Sequence, residues 1–257
     1  MPRGLLLILI LFAALGGSHR PGGASADPAW RSYLPSVMAR PPTCQPTGQR
    51  YATLSVNPPP TDRPAERHAD LNLSLRGYIP VDAYKGLLDY PGGSDPNAPQ
   101  LSGLFADAHI PTFRAVYQIY DWDWTCNCRG APIANPAVTL AGLATAPGEI
   151  IHVPDSRYTI GDGYEVLVLY AEETRITLKY TGDDNVVHGY TLHLEHICVD
   201  PALLALYRTW NEAGRERLPA LQAGQPLGRA LGVEIGVAIR DSGAFMDPRS
   251  RKDWWRD

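Results

Sequence analysis

The clearest pattern lies in the second half of the chain. Residues 165–170 (Glu-Val-Leu-Val-Leu-Tyr) are almost continuously apolar, and residues 174–180 (Thr-Arg-Ile-Thr-Leu-Lys-Tyr) alternate apolar with polar. Both are rich in strand formers and only Ala171-Glu172-Glu173 separates them, so they predict a hairpin. Gly182-Asp-Asp-Asn185 marks a turn, and Gly189 to Val199 reads as the next strand. Asp200-Pro201 then supplies an N-cap and a first-turn proline. Leu203, Leu204, Tyr207 and Trp210 follow at helical spacing, and Gly214 is a stop. Val233 to Arg240 predicts a last strand with Val233, Ile235, Val237 and Ile239 on one face. Glu234, Gly236, Ala238 and Arg240 fall on the other.

The first half is less regular. Residues 66–137 mix short apolar runs with Gly-Gly, Asp-Pro and Ala-Pro breaks, which predicts irregular or short-strand structure. Asp27 to about Pro64 holds nine prolines, including Pro58-Pro59-Pro60. Proline fixes φ and removes a donor, so this stretch is expected to be a tether or strap without regular sheet or helix. Ahead of it, Arg3, an apolar run from Leu5 to Leu15 and Ala24-Ser25-Ala26 have the layout of a secretory leader cleaved after Ala26. The eleven-residue run is short of the roughly 20 residues that span a bilayer, and no second long apolar run follows, so no membrane span is expected once the leader is removed. The expected organisation is therefore a leader (1–26), a proline-rich strap (27–65), an irregular region (66–137) and a β domain (138–257).

Composition narrows the function classes. A chain of 257 residues that is 44% hydrophobic and 19% charged builds a sizeable core. A net charge of −4 gives no basic excess for nucleic-acid binding. Four cysteines, Cys44, Cys126, Cys128 and Cys198, are an even count in a chain with an export signal, which favours disulfides. Cys126 and Cys128 look too close for an easy mutual bridge, so the expected pattern ties one to Cys44 and the other to Cys198. Cys-x-Cys without a second spaced pair does not suit zinc.

Candidate chemistry gathers at His188, His193, Glu195 and His196. On a strand, His193 and Glu195 share a face and His196 points the other way. No Gly-x-Ser-x-Gly elbow, phosphate loop or nucleotide fingerprint is present. Asp121-Trp122-Asp123-Trp124 and Asp253-Trp254-Trp255 pair tryptophan with carboxylate. Such a surface stacks on sugar rings and bonds hydroxyls when exposed, and packs a domain edge when not.

Residues 232–248, Gly-Val-Glu-Ile-Gly-Val-Ala-Ile-Arg-Asp-Ser-Gly-Ala-Phe-Met-Asp-Pro, resemble the closing hairpin of lysostaphin/LytM-type zinc metallopeptidases. Gly232, Arg240, Gly243, Asp247 and Pro248 fit that family's pattern without a gap. Leu221-Gln-Ala-Gly-Gln-Pro-Leu-Gly228, Gly189-Tyr-Thr-Leu-His193-Leu194 and Ala146-Pro147-Gly148 are similar to three further family steps, so the resemblance covers roughly residues 138–250. It implies a LytM-like, mainly β core, with the helix near 200–214 inserted where the family has a short turn. By bringing the last strand beside His193, the resemblance further implies that Glu234 and Arg240 frame a small polar cleft with His193, where a His–Glu pair supports acid/base work. It also implies a lost metal site. The family's His-x-His positions are Glu234 and Gly236 here, and its His-x-x-x-Asp positions are Leu140 and Ala144, so only His193 remains. These residue types lack the three ligands zinc needs, and no cofactor is expected. The resulting expectation is an exported, cell-envelope protein with a degenerate, non-catalytic peptidase-like domain that binds cell-wall peptide or glycan, with Trp122, Trp124 and Glu195 as binding candidates. The alternatives are a hydrolase with a site rebuilt around His193 and Glu234, and a structural surface protein.

Overall fold

In the computed structural model, which describes residues 44–57 and 60–256, the alternating segments become the centre of a large antiparallel sheet. The strands are β1 (Ala52–Ser55), β2 (Tyr78–Pro80), β3 (Phe113–Asp123), β4 (Cys128–Pro132), β5 (Leu140–Ala144), β6 (Ile150–His152), β7 (Val166–Glu172), β8 (Arg175–Lys179), β9 (Tyr190–Glu195), β10 (Ile197–Val199), β11 (Arg217–Leu221), β12 (Pro226–Ala230), β13 (Glu234–Asp241) and β14 (Ala244–Phe245). The fold is mainly β, with three α-helices, α1 (Leu73–Arg76), α2 (Pro201–Glu212) and α3 (Arg251–Trp254), among the described residues. The main sheet runs β1-β11-β7-β8-β9-β13-β5-β3-β2, with β14 beside β13 and β4 beside β3. A smaller sheet runs β10-β12-β6. None of the described helices is long and apolar enough to cross a membrane.

The sequence pattern accounts for this centre. β7 and β8 pair as the expected hairpin. β7 is buried along nearly its whole length, as its unbroken apolar run requires, and β8 alternates between two environments. Leu167, Leu169, Leu192, Ile235, Val237 and Ile239 join one large core that includes Ile197, Val199 and Leu227 of the small sheet and Leu203 and Tyr207 of α2. The Asp200 side chain caps α2 by accepting from the Ala202 amide at 2.8 Å. Just past the helix end Gly214 adopts φ 100°, a conformation open to glycine, and the chain turns toward β11. Val233 precedes the last strand and is exposed, because pairing with β5 begins at Glu234.

Three expectations need correction. The strand foreseen over 189–199 divides at His196, whose φ of 60° sends β9 to the main sheet and β10 to the small one. The proline-rich strap contains an edge strand after all: β1 pairs with β11 from Ala52↔Ala220 to Ser55↔Arg217. It forms in the proline-free window between Pro46 and Pro58, where backbone donors are intact. The cysteines pair Cys44–Cys198 and Cys126–Cys128. A chain reversal at Asn127, with φ 51°, brings the Cys126 and Cys128 Cα atoms to 5.2 Å, so neighbours in sequence are bridged. Cys44–Cys198 fastens the strap to β10, next to which the Thr47 amide and hydroxyl also donate to Asp200. The expected leader and the first part of the strap lie outside the described residues.

Candidate functional site

The register of the main sheet fixes which side chains can meet. Across β8, β9 and β13 one row reads Thr177, His193 and Ala238, and the next, which continues into β5, reads Arg175, Glu195, Gly236 and Gly142. His193, Glu195, Glu234 and Arg240 therefore share one face. Glu234 precedes Ala238 by four residues, and at about 3.3 Å per residue it lies roughly 13 Å along the strand from the His193 row. The expected His193–Glu234 acid/base pair does not form.

His193 is closed in, with 1% exposure. The Thr177 hydroxyl donates to the Leu71 carbonyl at 2.7 Å and lies 3.0 Å from His193 Nδ1. With its single hydrogen spent on Leu71, Thr177 accepts from Nδ1–H, which assigns the neutral tautomer with a lone pair on Nε2. Nε2 is buried without a partner. Burial, then the charge of Arg240, holds the imidazole pKa well below its ordinary value. The Phe245 ring lies 5.9 Å away, and Phe245 packs with Leu73, Ile119, Leu140 and Ala238 in a small second core over this face.

Arg240 does not frame a cleft with His193 and Glu234; it lies with Arg76 and Phe245 at the floor of a separate depression. It donates from Nη1 to Asp70 at 2.8 Å and from Nε to the Gly243 carbonyl at 2.8 Å. Arg76 donates to the same Asp70 oxygen at 2.7 Å, and both guanidiniums lie over Phe245. Burial works against the Asp70 anion, but the two arginines outweigh it and hold its pKa below the carboxylate norm. Asp70 was not singled out in sequence, because only the fold brings its loop to β13.

Glu195 is also buried, which corrects its expected place on a binding surface. Its carboxylate accepts from Arg175 Nε at 3.0 and 3.1 Å, and Arg175 also pairs with Glu172. Burial outweighs Arg175 and pushes the Glu195 pKa up to about 7. A β-carbon on Gly236 would come within 3.1 Å of Glu195 Cβ, and one on Gly142 within 2.5 Å of the Glu234 carboxyl. The two glycines make room for the two glutamates. Glu234 accepts from the Tyr117 hydroxyl at 2.9 Å, and burial first, then this bond, pushes the Tyr117 pKa up to about 12.

His196 does not point away as strand alternation implied. Its positive φ breaks the alternation, and Nε2 lies 3.2 Å from the Tyr78 hydroxyl, whose ring packs edge-on against Tyr117. Lys179, on the Thr191 side of the same face, was not anticipated as a special group. It is fully buried, donates to the His188 carbonyl, and burial pushes its pKa down to about 8. The signal was present in the alternation of Arg175, Thr177 and Lys179 along one strand face.

The positions aligned with zinc ligands in the resembled family do not fit that metal. Leu140 and Ala144 have no donor atoms and the space above Gly236 holds Glu195. Among the described residues no group of three or more His, Cys, Asp or Glu side chains gathers to hold a metal.

The open chemistry lies at the β3–β4 hairpin. Its tip is closed by Cys126–Cys128 and by the Asp123 carboxylate, which accepts from the Thr125 amide at 2.8 Å. Trp124 is 43% exposed and meets Trp122 edge-on at 6.3 Å. Arg63 stacks on Trp124 at 5.1 Å, and Trp122 Nε1 donates to Asn127. Asp121 and Asp123 are exposed beside them. Trp254 and Trp255, in contrast, are buried and donate to the carbonyls of Asp247 and Pro248 at 2.8 Å, so the second Trp–Asp motif packs the domain. Comparison with protein-family models, with curated proteins and with solved structures finds no match to this chain.

Proposed function

We propose that the protein is an exported, cell-envelope-associated binding module whose degenerate, LytM-like sheet is non-catalytic and whose working surface is the Trp122–Trp124 hairpin. Export rests on the sequence of the first 26 residues, and two disulfides are compatible with an oxidising compartment. The observation that carries the reading is a contrast in access. His193, Glu195 and Arg240 are engaged with Thr177, Arg175 and Asp70 inside the fold, whereas Trp122, Trp124, Asp121 and Asp123 lie together on an open edge. A general base must reach a substrate proton within about 3 Å, which a closed imidazole does not. Tryptophan beside carboxylate offers an apolar face together with hydrogen-bond acceptors, the combination a peptidoglycan sugar or peptide uses.

Co-sedimentation with isolated cell walls tests the proposal. The wild-type chain should pellet with walls. Trp122→Ala/Trp124→Ala should lose most of that binding with an unchanged melting temperature, because both rings sit at the rim. Equal pelleting of the double variant would overturn the assignment of the surface.

A further inference from the structure

Three depressions adjoin on the side of the molecule that carries the hairpin. The widest, ≈ 710 Å³, is the trough between residues 121–125 and 130–135. A second, ≈ 250 Å³, is walled by Arg76, Asp121 and Phe245. The third, ≈ 330 Å³, is bordered by Tyr90, Pro136, Phe245 and Trp254. Asn135 lines all three, Asp121 lines the first two and Phe245 the last two. Shared walls make them consecutive compartments of one groove.

The chemistry along this groove is mixed in a way that selects its occupant. Indole faces stand at one end, and Tyr90, 40% exposed, stands at the other. Between them Asn135 presents an exposed amide, which both donates and accepts. Carboxylates recur along the rim. Asp121 and Asp123 are exposed, and Asp253 accepts from Ser250 and Lys252. The two guanidiniums at the floor, Arg76 and Arg240, are matched by Asp70 and, for Arg76, by Asp121 at 3.5 Å, so neither offers an unmatched charge to a polyanion. A peptide adding to the outer edge of β4 meets a poor template. Pro132 has no amide hydrogen, the β3–β4 register is irregular between Tyr120 and Trp122, and a disulfide closes the strand's start. A pyranose chain meets none of these obstacles. Its C–H faces stack on aromatic rings and its hydroxyls donate to carboxylates and amides.

We infer that the groove takes an extended, neutral, hydroxyl-rich glycan, with one sugar on the Trp122–Trp124 ledge and another in the Tyr90–Phe245 compartment. The inference rests on the binding-module reading and narrows its ligand. The test is calorimetric titration of the protein with N-acetylglucosamine oligomers of two and six units, using wild type, Trp124→Ala and Ala137→Trp. Ala137 is exposed on the rim of the far compartment, so a large side chain there obstructs the groove without entering the core. Wild type should bind the hexamer at least about tenfold more tightly than the dimer. Ala137→Trp should abolish that advantage, and Trp124→Ala should weaken binding of both oligomers. Equal affinity for the two lengths, or an unaffected hexamer with Ala137→Trp, would overturn the extended groove. If wild type still pelleted with walls in a Trp-dependent way, the ledge itself would stand. Tighter binding of a sugar-free cell-wall stem peptide than of the hexamer would overturn the glycan assignment.

Discussion

Glu195 stands directly across from Gly236 in the β9–β13 ladder, and its Cβ would lie only 3.1 Å from a β-carbon at Gly236, so a side chain there meets Glu195 at once. The position that the family resemblance aligns with a metal-binding histidine is thus packed, with Glu195 held there by Arg175. Gly236→His should therefore destabilise the fold by about 1–3 kcal/mol, the usual penalty of overpacking, and should purify without stoichiometric zinc. Chemical denaturation and metal analysis of the variant check both points.

Asp70 joins two buried guanidiniums, Arg76 and Arg240. Asp70→Ala leaves both without their shared anion and should cost about 3–5 kcal/mol. Asp62→Ala, at an exposed surface pair, should cost less than about 1 kcal/mol. Equal effects in urea denaturation would contradict the central place given to Asp70.

Two buried groups give opposite pH dependences. The folded chain retains a proton on Glu195 up to about pH 7, whereas an ordinary glutamate releases it near 4.5. Stability from this group is therefore lost as pH rises from 4.5 to about 7, with a slope of at most about 1.4 kcal/mol per pH unit. His193 stays neutral in the fold while the unfolded chain protonates it near 6.5, so its contribution is lost as pH falls below that value. Thermal melts at about pH 5 and about pH 8 separate the two. Glu195→Gln should gain on wild type at the higher pH, and His193→Gln should gain on it at the lower. A pH-independent difference for either variant would contradict its assigned burial.

The two disulfides should differ in weight. Cys44–Cys198 closes a separation of 154 residues and Cys126–Cys128 one of 2. Removing the long link should cost about 3–5 kcal/mol by the chain-entropy argument, and the short one less than about 2 kcal/mol. Mass mapping of the unreduced protein should find Cys126 and Cys128 bridged to each other, and paired serine variants give the stability difference.

The centre of the fold was legible in sequence because its strands alternate cleanly. The β7–β8 hairpin, the capped helix after Asp200 and the strand through Ile235, Val237 and Ile239 all follow from local pattern. β3 was not legible, because a register shift between Phe113 and Ala115 interrupts its alternation, and its buried residues fall at Phe113, Val116 and Ile119. At the candidate site, sequence placed His193 and Glu195 on one face correctly. Their partners Thr177 and Arg175 depend on β8–β9 register, and Asp70 depends on a contact with Arg240 that spans 170 residues. His196 was misplaced because one positive φ cancels the strand rule.

In the function proposed above, this chain holds the cell wall by its aromatic edge and performs no hydrolysis on its sheet face. One assay addresses it directly: purified wild-type protein is incubated with isolated cell walls, and bound protein and released soluble fragments are measured from the same tube. Protein is expected in the pellet, with no release of peptide or sugar above the buffer control. Release of wall fragments that disappears with His193→Ala would contradict it.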